Sequence, residues 1–392
     1  MRLFTCFIAL FLLGACSSEH EVTIQNFAGF PTQNQNYQIG VAAPFTAKIG
    51  DVAVMAGGCN FPNKPAAQKG VKVYYDDIYV ADWTNSTTLN WQKKGQLPKP
   101  AAYGATVQMP DGNSTLFVGG RNETEIFDDV YRITFSQILD SVIIDTFPPL
   151  PKPRFNMAAT VLDNKLYVIG GVVDGKTSNS VISIDLDSQS VEGWSNESDF
   201  PGDPRTQLVA VSQACKIFIF GGCAPYMGLQ NASVSLSAYQ FIPNNNKWIQ
   251  ISSPVDGDGN FVALTAGNAT KLDDRYIMLT GGVDKDIFLR ALVREQKMSM
   301  TPPCKLANYT ILNDKLVNEY LTQPVEWYQF NGKVLLYDVV EDTYLQIASS
   351  QSLARAGAGT ISCDDGMFVI SGELKPGVRS PDVTKLTVKL EY

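Results

Sequence analysis

Leu166-Tyr167-Val168-Ile169-Gly170-Gly171 is a short apolar run closed by two glycines, and the same design recurs along the 392-residue chain. Val52 to Ala56 leads to Gly57-Gly58, Thr115 to Val118 to Gly119-Gly120, Ile217 to Phe220 to Gly221-Gly222, and Tyr276 to Thr280 to Gly281-Gly282. A degenerate copy, Met367-Phe368-Val369-Ile370-Ser371, ends on Gly372. From one second glycine to the next the spacings are 62, 51, 51, 60 and 90 residues, so six units are present and one carries a large insertion.

The flanks of each run complete the unit. Upstream lies a segment of small residues, AAYGATVQ from Ala101 or FNMAATVL from Phe155, joined to the glycine run by a polar turn such as Asp111-Gly112-Asn113 or Asp163-Asn164. Downstream come a third run (DDIYV, DDVYRI, SVISIDL, SAYQF) and often a tryptophan on a fourth, at Trp91, Trp194 and Trp248. Four short strands at this period predict an all-β, six-bladed Kelch-type β-propeller. The glycines serve the crowded end of each strand and the tryptophans fill wedges between blades, so neither marks a binding site.

The last unit stops after its third strand, near Leu386 to Leu390, while EVTIQNF (Glu21 to Phe27) precedes the first unit without belonging to it. The expectation is a ring closed by pairing the N- and C-terminal strands, leaving no sheet edge open. The insertion, residues 284–325, begins with DKDIFLRALVREQK, which has helical propensity and interrupts blade five just after its glycines. Residues 21–392 are thus expected to form a single propeller with a partly helical insertion. A lid and a packing or dimer surface are both open readings of that insertion.

Residues 1–15 read as an export signal: one charge at Arg2, an apolar run from Leu3 to Leu13 too short to span a bilayer, then small residues. Leu13-Gly14-Ala15-Cys16 resembles a bacterial lipobox, which implies lipidation of Cys16, a tether over residues 16–20, and an exported lipoprotein of the periplasm or outer membrane. No other membrane contact is expected. A net charge of −8 argues against nucleic acid as a partner. A single histidine, His20, makes Ser-His-Asp, Cys-His and histidine-ligated metal chemistry improbable, including the copper site of a galactose-oxidase-like propeller. The cysteines left after processing form no CxxC pair, so neither a metal nor a redox cofactor is expected.

Loops that follow the glycines share one face with the segments that lead into each new blade. On that face stand Asn60, Tyr103, Arg154, Asn156, Arg205, Gln207 and Arg355, a set suited to an anionic, hydroxyl-rich ligand. The arginines have a second reading, as repeated residues that bond the carbonyls of neighbouring blades. In Gly372-Glu373-Leu374-Lys375-Pro376-Gly377-Val378-Arg379 the Pro-Gly centre predicts a type II turn that brings Glu373 and Arg379 together. Such a pair suits a carboxylate that moves protons and a guanidinium that holds a substrate carboxylate. On the residues alone the simpler reading is a salt bridge that only holds the loop.

GELKPGVR resembles the GEAKPGLR motif of the N-acetylneuraminate epimerases, the sialic acid mutarotases, which are six-bladed Kelch propellers of the bacterial periplasm. Further likeness lies in AAPFTAKIGDVAVMAGGCNFPNKPA (Ala42 to Ala66), PAAYGATV around Tyr103, PGDPR ending at Arg205, and GGVDKDIFLRAL (Gly281 to Leu292). The order is rotated relative to the simplest members, as in a cyclically permuted chain. The resemblance implies interconversion of the anomers of sialic acid, with Glu373 as proton acceptor and Arg379 also required; the chemistry of the loop adds the expectation that Arg379 pairs with the substrate's C1 carboxylate. Leu374 and Val378 depart from the motif, as does Ser380-Pro381 after it, so another sugar acid is an open alternative. So is a non-catalytic propeller that binds glycans or proteins at the cell surface.

Overall fold

The computed structural model describes residues 20–27, 34–83, 89–226 and 231–390. The expected signal segment 1–15, Cys16 and the tether up to residue 19 lie outside the described residues. Among the described residues there are six four-stranded antiparallel sheets. Five are built from consecutive strands, the first being Phe45–Ile49, Val52–Ala56, Asp77–Asp82 and Gln92–Gln96. In the sixth, Gly359–Cys363, Gly366–Ile370 and Val383–Lys389 are joined by Glu21–Phe27, whose register runs from Glu21 opposite Lys389 to Phe27 opposite Val383.

Each glycine run is the second strand of its sheet and is buried almost throughout, as in Lys165–Ile169 and Lys216–Phe220. A strand covered on both faces by neighbouring sheets loses the polar alternation of a half-exposed one. Outer strands regain it: Glu21–Phe27 alternates exposed and half-buried positions. The first strands of all six sheets line a central channel with small residues and hydroxyls, among them Thr46, Thr106, Thr160, Ala210, Asn268 and Thr360.

The core is divided among the joints between sheets. Leu116, Val118, Leu166 and Val168 fill the joint between the second and third sheets, and Phe218, Phe220, Leu279 and Tyr337 that between the fourth and fifth. At the joint that brings the sixth sheet against the first, Met55, Tyr79 and Trp91 meet Phe27, Phe368 and Ile370. Trp248 fills a wedge of the same kind, its indole N–H donating to the Ser198 carbonyl at 2.8 Å. Fully burying one such side chain contributes about 1.5–3 kcal/mol, so the joints rather than isolated sheets hold the fold.

The glycine pairs stand where sheets meet at one end of the channel. Gly170 and Gly171 have φ of 63° and 87°, and a Cβ on Gly171 would sit 2.7 Å from the Phe155 carbonyl oxygen. Backbone approach, not ligand binding, fixes the residue there. Between Gly281 and Lys333 the chain leaves the fifth sheet to form α1 (Lys285–Ser299) and α2 (Pro303–Leu321). Asp284 caps α1, its side chain accepting from the Ile287 N–H at 2.8 Å.

Candidate active site

Six residues, one from each lead-in, ring one mouth of the channel: Ala43, Tyr103, Asn156, Gln207, Ala266 and Gly357. All six have positive φ, from 51° at Ala43 to 64° at Tyr103. The backbone N–H of Tyr103 donates to Ala43 O at 3.2 Å, Asn156 to Tyr103 at 2.7 Å, and Gln207 to Asn156 at 2.8 Å. Ala266 donates to Gln207, Gly357 to Ala266, and Ala43 back to Gly357, each at 2.8 Å. This closed cycle satisfies backbone groups that no sheet ladder reaches, and it offsets the cost of holding five non-glycine residues in the left-handed region.

Two residues before three of these positions stand Arg154, Arg205 and Arg355, and they do not face the mouth. Each carbonyl accepts from the second glycine of the preceding sheet: Arg154 from Gly120 at 2.8 Å, Arg205 from Gly171 at 3.0 Å, Arg355 from Gly282 at 2.9 Å. Each guanidinium donates into its own sheet, to Gly170 O at 2.9 Å, Gly221 O at 2.9 Å and Ser371 O at 3.0 Å. Burial pulls Arg154 and Arg355 down to about 10, which leaves them charged at neutral pH. They are latches between blades, and the expectation that they bind substrate is corrected. Asn60 is corrected likewise. It is fully buried, its amide donates to Asn36 O at 2.7 Å and Gly40 O at 2.8 Å, and its carbonyl accepts from the Tyr75 hydroxyl at 2.7 Å.

Tyr103, Asn156 and Gln207 do line a common cavity of about 650 Å³, together with Lys72, Glu373 and Pro376. Its roof comes from the insertion: Phe288, Leu292 and Glu295 of α1, with Phe330 beyond α2. Glu373–Lys375 and Val378–Arg379 form the predicted hairpin, Glu373 directly opposite Arg379. Gly377 has the φ of 82° that a type II turn requires, and a Cβ there would meet Ala66 at 2.4 Å. Glu373 Oε1 lies 2.7 Å from Arg379 Nη2, with side-chain exposures of 26% and 2%. Arg379 sits over the Phe61 ring at 5.0 Å, and its Nε and Nη1 lack hydrogen-bond partners among the described residues. Burial, the largest single influence, lowers its pKa; Glu373 first, then Cys59 and Tyr103, together outweigh it and hold the group above the ordinary value.

Arg379 thus stands behind Glu373 rather than on the cavity wall, and the cation that faces the cavity is Lys72. Its Nζ lies 2.9 Å from the Tyr103 hydroxyl, which is also 3.2 Å from Cys59 Sγ. Burial pushes the Tyr103 phenol well above its usual pKa, so it stays protonated at neutral pH. A carboxylate beside a buried guanidinium, an ammonium, a neutral phenol and two amides together accept a proton, pair with an anion and bind hydroxyls. Sequence reasoning missed Lys72, Phe61 and Glu295, which lie outside the repeat. For Glu295 a signal existed: Phe288, Leu292 and Glu295 share one face of a helix at spacings of four and three.

The sequence model of the family described as "NANM: N-acetylneuraminate epimerase" matches residues 147–391. A Yersinia pestis protein named N-acetylneuraminate epimerase is 29% identical over 250 residues, 62% of this chain and 58% of that protein. The Salmonella typhi protein of the same name is 27% identical over 237 residues, 60% of this chain and 56% of its own. The chain therefore spans less than two thirds of the length of the curated relatives it matches. The solved structure titled "Structure of YjhT" superposes with a TM-score of 0.59 at 15% identity, covering 89% of this chain and 97% of that one. With the family's sequence model matching well over half of its residues, this chain belongs to the N-acetylneuraminate epimerase family.

Proposed function

We propose that this protein is a mutarotase that interconverts the α and β anomers of N-acetylneuraminate. The observation that carries the reading is the Glu373–Arg379 pair, placed by a two-strand hairpin so that the carboxylate lines a polar cavity while the guanidinium backs it. Sialic acid is a 2-keto acid closed into a pyranose. Exchange of its anomers requires a proton to leave the anomeric hydroxyl and one to reach the ring oxygen as the ring opens, then the reverse on the other carbonyl face. Glu373 is the proton acceptor, and Arg379 is a positioning residue that fixes its orientation and charge. Lys72 takes the C1 carboxylate, a role first expected of Arg379. Tyr103, Asn156 and Gln207 meet the substrate's hydroxyl and amide groups.

The framework in this reading is a single six-bladed propeller over residues 21–392, closed by Glu21–Phe27 and exported as a lipoprotein through Cys16. A cyclically permuted order accounts for family likeness in sequential alignment over 147–391 alone, while the superposed fold covers 89% of the chain. The test is NMR of freshly released α-N-acetylneuraminate with and without the mature protein. Faster approach to the same anomer equilibrium, lost in Glu373→Gln, is expected. An unchanged rate with folded protein rejects the reading and favours a sugar-binding module or another sugar acid.

A further inference from the structure

We propose that Glu295, carried by the insertion helix α1, is the second acid-base group of this site and delivers the proton to the pyranose ring oxygen. The inference rests on the mutarotase reading and adds a residue to it. Glu295 lines the same cavity as Glu373, but from the roof rather than the hairpin. Glu373 is bound by Arg379 at 2.7 Å, whereas no ion pair or side-chain hydrogen bond engages the Glu295 carboxyl among the described residues. The site thus holds two carboxyl groups, one tied to a cation and one free to turn.

Their surroundings divide the roles. The groups around Glu295 are Arg294 on its own helix, Tyr320 of α2 and, across the cavity, Lys72, Tyr103 and Glu373 with Arg379 behind it. Tyr320 lies within electrostatic reach of both carboxylates, and Arg294 is drawn over the Tyr320 ring at 5.0 Å rather than onto Glu295. Glu295 is exposed at the roof of the cavity, and the protein packed about it still raises its pKa by desolvation, Arg294 opposing the shift only in part. Two carboxyls whose environments differ in this sense are the usual basis of an acid and a base in one site.

The proton count closes. Glu373 takes the proton of the anomeric hydroxyl, the C2–O bond to the ring breaks with its electron pair on the ring oxygen, and that oxygen takes the proton of Glu295. After rotation about C2–C3 the hydroxyl so formed attacks the other carbonyl face. Its proton returns to Glu295, and Glu373 protonates the new anomeric oxygen. Both groups end as they began, with no oxidant, metal or cofactor in the sequence of steps.

The experiment compares full-length mature wild type, Glu295→Gln, Glu295→Asp and Glu373→Gln by anomer-exchange NMR on N-acetylneuraminate, with the uncatalysed rate subtracted at each pH. Expected for Glu295→Gln is a kcat lower by about 10²-fold or more with KM little changed, loss of the alkaline limb of the kcat profile, partial recovery in Glu295→Asp, and an unaltered thermal midpoint. Wild-type kcat and pH profile in Glu295→Gln overturn the proposal and leave Glu373 as base untouched. A rise in KM alone makes Glu295 a binding contact and also overturns it. A wild type without catalysis removes this proposal together with the reading beneath it, and is recognised before any variant is measured.

Discussion

The ammonium of Lys72 lies 2.9 Å from the hydroxyl oxygen of Tyr103, a residue of the left-handed ring at the channel mouth. Because the ammonium only donates, the phenol keeps its own hydrogen for an acceptor. Burial keeps the phenol protonated across the physiological range. Tyr103→Phe is expected to weaken substrate binding by about 0.5–1.5 kcal/mol, the net worth of one hydrogen bond, with an unchanged thermal midpoint. Titration of the sugar acid onto the variant measures it, and wild-type affinity would show that the hydroxyl serves only Lys72 and Cys59.

Lys72 and Arg379 should separate in steady-state kinetics. Lys72→Met removes the cation on the cavity wall and is expected to raise KM about tenfold or more, as loss of a charge-assisted contact does. Arg379→Lys keeps the charge but loses the planar fork that orients Glu373, so kcat falls while KM stays near its original value. The reverse pattern would return the anion-binding role to Arg379.

The arginine latches make a prediction of the opposite kind. Arg205 is 2% exposed and donates to Gly221 O at 2.9 Å and Ser235 Oγ at 2.8 Å. Arg205→Met strands those acceptors at the joint between two sheets, for an expected loss of about 2–4 kcal/mol. Denaturant unfolding reads the loss, and KM of the protein that remains folded should not move. A changed KM with intact stability would put Arg205 back among the ligand contacts.

Acid stability follows from Asp256, whose carboxylate sits 2.6 Å from Lys333 Nζ where the chain returns from the insertion. The hydrogen bond from Lys333, aided by backbone N–H groups of Asn260 and Asp258, lowers its pKa from 3.8 to about 2. A depressed carboxyl pKa means a stabilising contribution that is full above 3.8 and fades as pH falls toward 2. Asp256→Asn should unfold at lower urea than wild type at pH 7, and the gap should narrow below pH 4. A gap of constant size would assign the effect to local geometry rather than charge.

The seam between the chain ends can be probed at Phe368, which packs on Phe27 at 6.1 Å and on Trp83 at 5.5 Å between ring centroids. Phe368→Ala is expected to cost about 3–5 kcal/mol. Calorimetry should show one cooperative transition displaced downward; a separate early transition would mean that the sixth sheet opens by itself.

What the sequence disclosed and what it hid follow one physical line. The second strands were legible because burial on both faces leaves an uninterrupted apolar run, and the glycines because backbone contact there excludes a Cβ. Glu373 and Arg379 were legible because Pro376-Gly377 dictates a reversal with little choice. Arg154 and Asn156 were read as neighbours in one site, yet they stand two residues apart where the backbone turns through a left-handed conformation, and only the second reaches the mouth. Whether a guanidinium meets a carbonyl or a ligand depends on that turn, which composition does not encode. Lys72 and Glu295 come from segments that occur once, where no repeat offers a comparison, and their meeting depends on how α1 lies over the first sheet's loop.

The cycle of six hydrogen bonds around the mouth has a bearing on how such proteins diversify. Its links are backbone N–H and C=O groups alone, and the side chains set on it here are alanine, tyrosine, asparagine, glutamine, alanine and glycine. Any residue other than proline that accepts the left-handed conformation preserves the hoop. The rim therefore behaves like a dial with six independently exchangeable letters, on which ligand preference can be rewritten one position at a time without loosening the ring of sheets that carries it.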